Sequence, residues 1–248
     1  MNTKEIIIKQ LKNLGLQNYS TVMVHSSMRS VGKLDGGADT LIDALLHTLG
    51  AQGNLLMVLG ADDDEPFDAL SSEADEDMGI VAELFRGRRG VKVNDHAAAR
   101  YAAHGPQAKF LLNPIQLHDY HGPGSVLERL TEINGAVLRL GADTDTVTLT
   151  HLAEYLADVP NKRRVSLRYD RADSGEQWIN SLDDSEGIAQ WKGGDYFPQI
   201  LLDYLKTNSA TIGRVGNSTA ELFPAKSFVS FATTWIESNL GLESRRPS

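Results

Sequence analysis

A chain of 248 residues, 41% of them hydrophobic, can bury one sizeable core and fits a single principal domain spanning 1–248. Its 33 acidic residues against 24 basic ones give a formal net charge of -9, which disfavours nucleic acid, because phosphate binding needs concentrated Lys and Arg, and suits either plain solubility or a cationic ligand. Cysteine is absent, so disulfides, thiolate metal sites and cysteine nucleophiles are excluded and catalysis must use oxygen or nitrogen groups.

The opening segment, MNTKEIIIKQLKNLGL, carries apolar residues at helical spacing among lysines. It predicts an amphipathic helix ending near Gly15 and lacks the long apolar stretch of a signal peptide or membrane span, so a cytoplasmic protein with no membrane partner is expected. The β-branched run Thr21 to Val24 predicts a buried strand, followed by the polar turn His25-Ser26-Ser27-Met28-Arg29-Ser30. Gly36-Gly37 leads into a helix ending at Gly50, and a second apolar strand is expected over Asn54 to Leu59. Strand, loop, helix, strand is the order of a βαβ unit, in which ligands sit beyond the carboxyl ends of the strands. The acid- and serine-rich stretch Gly60 to Asp77 reads as a long loop, of the length that is usually functional or disordered.

Helix is expected again over Gly79 to Arg89 with Asp77 as cap, then a short strand at Val91 to Val93. The stretch Leu117 to Ser125 reads as loop and Ala136 to Leu140 as strand. Thr144 to Ala157 predicts a loop entering a helix, capped by Thr146 or Thr148 and stopped by Pro160. Alternation from Arg163 to Leu182 predicts an antiparallel hairpin. Helix 194–206, strand 210–215 and helix 225–239 complete an α/β chain with a small antiparallel lobe, without repeats or a linker.

Three groups of residues can carry chemistry. His151 stands in the first turn of a predicted helix with Glu154 three residues on, and an imidazole oriented by a carboxylate can take a proton near neutral pH; an ordinary helix histidine beside a surface glutamate has the same spacing. The turn 25–30 offers hydroxyls, a guanidinium and backbone N–H groups after a strand. That suits an anion, a nucleophilic serine or a plain strand-to-helix turn, although neither a phosphate-loop pattern nor Gly-x-Ser-x-Gly is present. The acidic runs 61–68 and 182–186 are solvated loops or surfaces for a polycation, since neither fits a calcium loop. His96, His104, His118 and His121 lack zinc-motif spacing, so no metal is expected.

Seven blocks in order, from VHSSMRSVGKLDGGADTLIDALLHTLG (24–50) through GIVAELFR (79–86), HAAARYAAHGPQA (96–108), HGPGSVLERL (121–130) and GAVLRLGADTDTVTLTHLAEY (135–155) to GRVGNSTAELFPAKSFVSFATTWIE (213–237), with the acidic DDEPFD loop among them, resemble the aminoglycoside 3-N-acetyltransferases. The resemblance implies an α/β fold specific to antibiotic N-acetyltransferases, a central mixed sheet flanked by helices, with acetyl-CoA as co-substrate and an aminoglycoside as acceptor. It implies His151 as base and Glu154 as its companion, and Ser26, Ser27, Arg29 and Ser30, beside His25, as the wall for CoA. Asp63 is the first choice for an antibiotic ammonium, with His121, Asp183 and Asp184 as further substrate-side positions. Thr148, or a backbone N–H beside it, is the candidate donor to the reaction oxyanion. A monomer or homodimer is expected. The chain departs from the family pattern at Ala97, Arg100, Thr144 and Val147, which bears on the pocket's shape and substrate range. The competing readings are a serine-dependent hydrolase of CoA thioesters or amides using Ser26 or Ser27, and a non-catalytic acyl-CoA or polyamine binder.

Overall fold

The computed structural model describes residues 2–61 and 65–240. Its frame is a seven-stranded sheet in the order β3-β4-β2-β1-β5-β9-β8. The strands are β1 (Thr21–Ser26), β2 (Asn54–Val58), β3 (Lys92–Val93), β4 (Tyr101–His104), β5 (Ala136–Leu140), β8 (Thr211–Val215) and β9 (Ser218–Pro224). A separate hairpin pairs β6 (Arg164–Arg171) with β7 (Gly175–Leu182). The three central strands are parallel, β1 lying between β2 and β5, and antiparallel strands extend the sheet on both sides. The α/β architecture, mixed sheet and small antiparallel lobe are those expected from the sequence.

Helices cover both faces, because the alternating side chains of each central strand enter two different cores. Val22, Val24, Leu55, Met57, Ala136 and Leu138 pack with α1 (Lys4–Leu14), α3 (Gly37–Leu49) and α4 (Gly79–Arg86). Met23, Leu56 and Val137 pack the other way, with α5 (Ala108–Leu111), α6 (Val126–Glu132), α7 (Leu149–Leu156), α8 (Tyr196–Lys206) and α9 (Ala225–Asn239). Strands buried on both faces read as continuous apolar runs, as the stretches 22–24, 55–58 and 136–138 of β1, β2 and β5 do. Among the described residues no helix is long and apolar enough to cross a membrane.

Several boundaries differ from expectation. The polar turn after β1 is divided: His25 and Ser26 still pair with Arg139 and Leu140 of β5, and Ser27 caps the short helix α2 (Met28–Val31). Helix α4 stops at Arg86, before Gly87, and Asp75 rather than Asp77 accepts the capping bond of the turn that precedes it. Helix α7 ends at Leu156, ahead of Pro160, and Thr148 occupies its N-cap without a side-chain capping bond. Strands β4 and β9 and helices α5 and α6 were not anticipated. β4 is rich in alanine, a poor strand former; β9 ends on a proline; the helices span at most two turns.

Candidate active site

The carboxyl ends of β1, β2 and β5 open onto a cleft of about 380 Å³, and a second cleft of about 790 Å³ continues from it toward the hairpin. The two share Asp77, Met78, Asp143 and Thr146. His25, Ser26, Ser27 and Arg29 line the smaller one. His151, Asp184 and Glu186 line the larger, together with Asp145, Asp195 and Phe197.

Two buried arginines set the shared wall. Arg139, 1% exposed in the middle of an apolar strand, pairs with Glu221 at 2.5 Å and donates to the carbonyls of Ala142, Asp143 and Thr146. It thereby holds the loop that carries Asp143 and Thr146 into both clefts. Gly141 starts that loop at φ +63°, wedged between Ser30 and Ser218 with no room for a Cβ. On the opposite side Arg100, fully buried, donates to the carbonyls of Ala69, Ser72 and Glu73 at 3.0, 2.6 and 2.9 Å. Phe67 lies between it and Arg171, with guanidinium carbons 5.7 and 5.4 Å from the ring centre. Burial pulls the Arg100 guanidinium down to about 10, which still leaves it charged, so it tethers the segment leading to Asp77 and Met78.

His151 and Glu154 meet through the i, i+3 spacing of α7. Imidazole Nδ1 lies 2.9 Å from Glu154 Oε2, which leaves Nε2 as the nitrogen available for proton transfer. Glu154, 1% exposed, also accepts a hydrogen bond from the Tyr196 hydroxyl through Oε1. Behind His151 the ring of His121 stacks at 4.9 Å and 8°, and Phe197 packs across it at 4.9 Å. Burial opposes the charged form of His151, but the hydrogen bond and charge of Glu154, with the charge of Asp184, outweigh it and raise the pKa above that of a free imidazole. Burial first, then His151 and His96, hold His121 well below the usual range, so the stacking ring is neutral. Tyr101 hydroxyl lies 3.3 Å from its Nδ1.

The remaining expected residues are distributed as follows. Asp184 accepts from Tyr120 at 2.6 Å and lines the larger cleft, whereas Asp183 is 6% exposed and spends Oδ1 on Ser185 and Glu186. Desolvation works against the Asp183 carboxylate, but those donors prevail and hold its pKa below the ordinary value. His121 lies under His151 and outside the larger cleft's wall. Thr148 is half-buried and lines neither cleft, and Ser30 bonds Ser27 at 3.3 Å. Asp63 lies outside the described residues. His25 is buried with Nε2 unpartnered, and desolvation followed by the charge of Arg139 pushes it down to about 3. The other histidines of the loops are pins: His96 Nδ1 accepts from Ala99 N and His118 Nδ1 from Asn180 N. Among the described residues no three His, Asp or Glu side chains gather as a metal-ligand set. Ser27, for its part, is bonded to Ser30.

Sequence reasoning missed Arg139 and Tyr196, and it marked Arg100 only as a departure from the family pattern, without its tethering role. For the arginines a signal existed, a single cation inside AVLRL and inside AAARYAA, since a charge in an apolar strand or alanine run must be paired. For Tyr196, brought to Glu154 from 42 positions away in the chain, the local sequence held none.

A carboxylate-backed imidazole beside two joined clefts is the equipment of a two-substrate enzyme that deprotonates a nucleophile. The family model described as aminoglycoside 3-N-acetyltransferase matches residues 23–237. Among relatives, aminoglycoside N(3)-acetyltransferase VIII of Streptomyces fradiae is 34% identical, with 96% of this chain and 93% of that protein covered. Among solved structures, AAC-IIIb in binary complex with CoASH superposes with a TM-score of 0.90 at 31% identity, covering 100% of this chain and 99% of the other. AAC-VIa bound to sisomicin gives 0.88 at 29% identity, covering 96% and 98%. The chain belongs to the aminoglycoside 3-N-acetyltransferase family.

Proposed function

We propose that this chain transfers acetyl from acetyl-CoA to an amine of an aminoglycoside antibiotic, conferring resistance, with His151 as general base. The observation that carries the assignment of roles is the His151–Glu154 pair, set in the wall of a cleft that also presents Asp184, Asp145 and Glu186. Carboxylates around that cleft draw in a polycation and orient it. An ammonium has no lone pair, so it must first be deprotonated, and His151 takes that proton through Nε2 while Glu154 stabilises the imidazolium. The amine then attacks the thioester carbonyl, an N–C bond forms, the C–S bond breaks with its electrons to sulfur, and the departing thiolate takes up the second proton, which the nitrogen sheds as it becomes an amide.

The smaller cleft is the donor side: Ser26, Ser27 and Arg29 stand at a strand end where hydroxyls, N–H groups and a guanidinium suit phosphate and pantetheine. Of the two adjacent aspartates, Asp184 is preferred over Asp183 for an antibiotic ammonium, because Asp183 is committed to its own turn. Oxyanion donation falls to a backbone N–H near the start of α7 or the 142–146 loop, rather than to the Thr148 hydroxyl. We read the chain as one domain, residing in the cytoplasm where acetyl-CoA is available. The test is CoA release from acetyl-CoA with a panel of aminoglycosides, followed by location of the acetylated nitrogen. Acetylation at N3 supports the assignment, and binding of both ligands without turnover supports the non-catalytic reading.

A further inference from the structure

A carboxylate buried as deeply as Glu154 needs donors for both oxygens, since a desolvated lone pair left unpaired is costly. Oε2 has His151. Oε1 has the Tyr196 hydroxyl. Tyr196 is the first residue of α8, where Asp195 accepts from Phe197 N at 2.9 Å and so fixes the helix start. The same hydroxyl oxygen accepts from the backbone N–H of Ile188 at 2.8 Å. A phenol carries one proton, and with Ile188 donating to the oxygen that proton is directed to Glu154.

The Ile188 contact ties the hydroxyl to the loop after β7, whose residues Ser185, Glu186 and Gly187 line the larger cleft. The loop comes this close because residue 187 is glycine. Its φ is +74°, and a Cβ there would collide with the Tyr196 hydroxyl.

From this geometry we infer that Tyr196 is a positioning residue for the acetyl transfer, holding Glu154 against His151 and joining that pair to the loop that walls the acceptor cleft. The inference rests on the reading of His151 as the base. Burial, then the Glu154 charge, raise the Tyr196 pKa far above the ordinary phenol value, so the hydroxyl stays protonated and serves as a donor, not as a proton relay. With the hydroxyl gone, Oε1 loses its donor, the carboxylate gives its whole charge to His151, and its side chain regains rotamer freedom.

The test uses Tyr196→Phe, which removes one oxygen and keeps the ring packed beside Phe197. In the folded variant kcat should fall about tenfold, the loss of one hydrogen bond to a charged group. KM for acetyl-CoA should hold, and the acidic limb of the kcat/KM pH profile should move to higher pH. Gly187→Ala, which leaves the hydroxyl in place but presses on it, should shift the limb the same way. Should Tyr196→Phe fail to fold, the limb of Gly187→Ala decides, and an unmoved limb overturns the inference. Wild-type kcat and limb in folded Tyr196→Phe overturn it as well. His151→Ala is measured beside them: if it retains full turnover, the base assignment itself has failed, whereas an inactive His151→Ala with a wild-type Tyr196→Phe sinks only the role of Tyr196.

Discussion

The end of β1 and the start of α7 each set a histidine beside a cleft, His25 buried and His151 half-buried, and they treat its proton in opposite ways. Burial, and then the positive charge of Arg139, push His25 down to about 3, whereas His151 faces Glu154 and is raised. Burial penalises the charged ring at both places; Arg139 adds to that penalty at His25, whereas Glu154 overturns it at His151. The contrast separates their work. A ring that stays neutral can wall a donor site without titrating. A ring with an anion behind it can hold the proton it removes from an ammonium.

The contrast breaks most visibly at His151. His151→Ala should lower kcat by roughly a hundred- to ten-thousandfold, the usual contribution of a general base, while acetyl-CoA affinity measured by calorimetry stays near wild type. Arg29→Ala, on the β1 side, should do the reverse: raise KM for acetyl-CoA on the order of tenfold through loss of a charged hydrogen bond, and leave the pH limb of the reaction in place. An effect confined to the antibiotic would assign that wall to the wrong ligand.

Stability sharpens the comparison further, and by less. The folded pKa of His25 is depressed, so between its ordinary value of about 6.5 and about 3 the unfolded chain binds a proton that the folded chain refuses, and stability falls as pH falls through that window. For His151 the folded pKa is raised, so its contribution is complete below the ordinary value and is lost as pH rises through the raised one. Urea unfolding at about pH 7 and about pH 4.5 should therefore show His25→Gln losing less stability on acidification than wild type, by on the order of 1–3 kcal/mol. Equal losses would mean that the ring at β1 is charged in the folded state.

The same contrast shows how much could be read from the chain. The three parallel strands were legible because buried runs such as Val22–Val24 and Ala136–Leu138 are continuous in sequence, and the hairpin because its exposed and half-buried residues alternate. The His151–Glu154 pair was legible because it lies within one helical turn. What was not legible depends on distant chain segments meeting. Asp183 and Asp184 are indistinguishable as a dipeptide, and only the fold turns one into its own loop and the other toward Tyr120. The stacking of His121 on His151 likewise joins residues 30 positions apart, which no local pattern announces. Thr148 read as a candidate cap from its place before the helix, and it holds that position, but its hydroxyl takes no capping bond there.

The central claim, that Glu154 gives His151 the proton affinity it uses on the antibiotic amine, is tested most directly by the pH dependence of kcat/KM for wild type and Glu154→Gln with one aminoglycoside. The amine's own titration is common to both enzymes, so any difference between the curves belongs to the protein. Glutamine removes the charge and leaves at most a neutral acceptor, so desolvation is opposed mainly by the charge of Asp184. The account predicts a depressed plateau and an acidic limb displaced to lower pH in the variant. A limb at the wild-type position, with turnover retained, would contradict it.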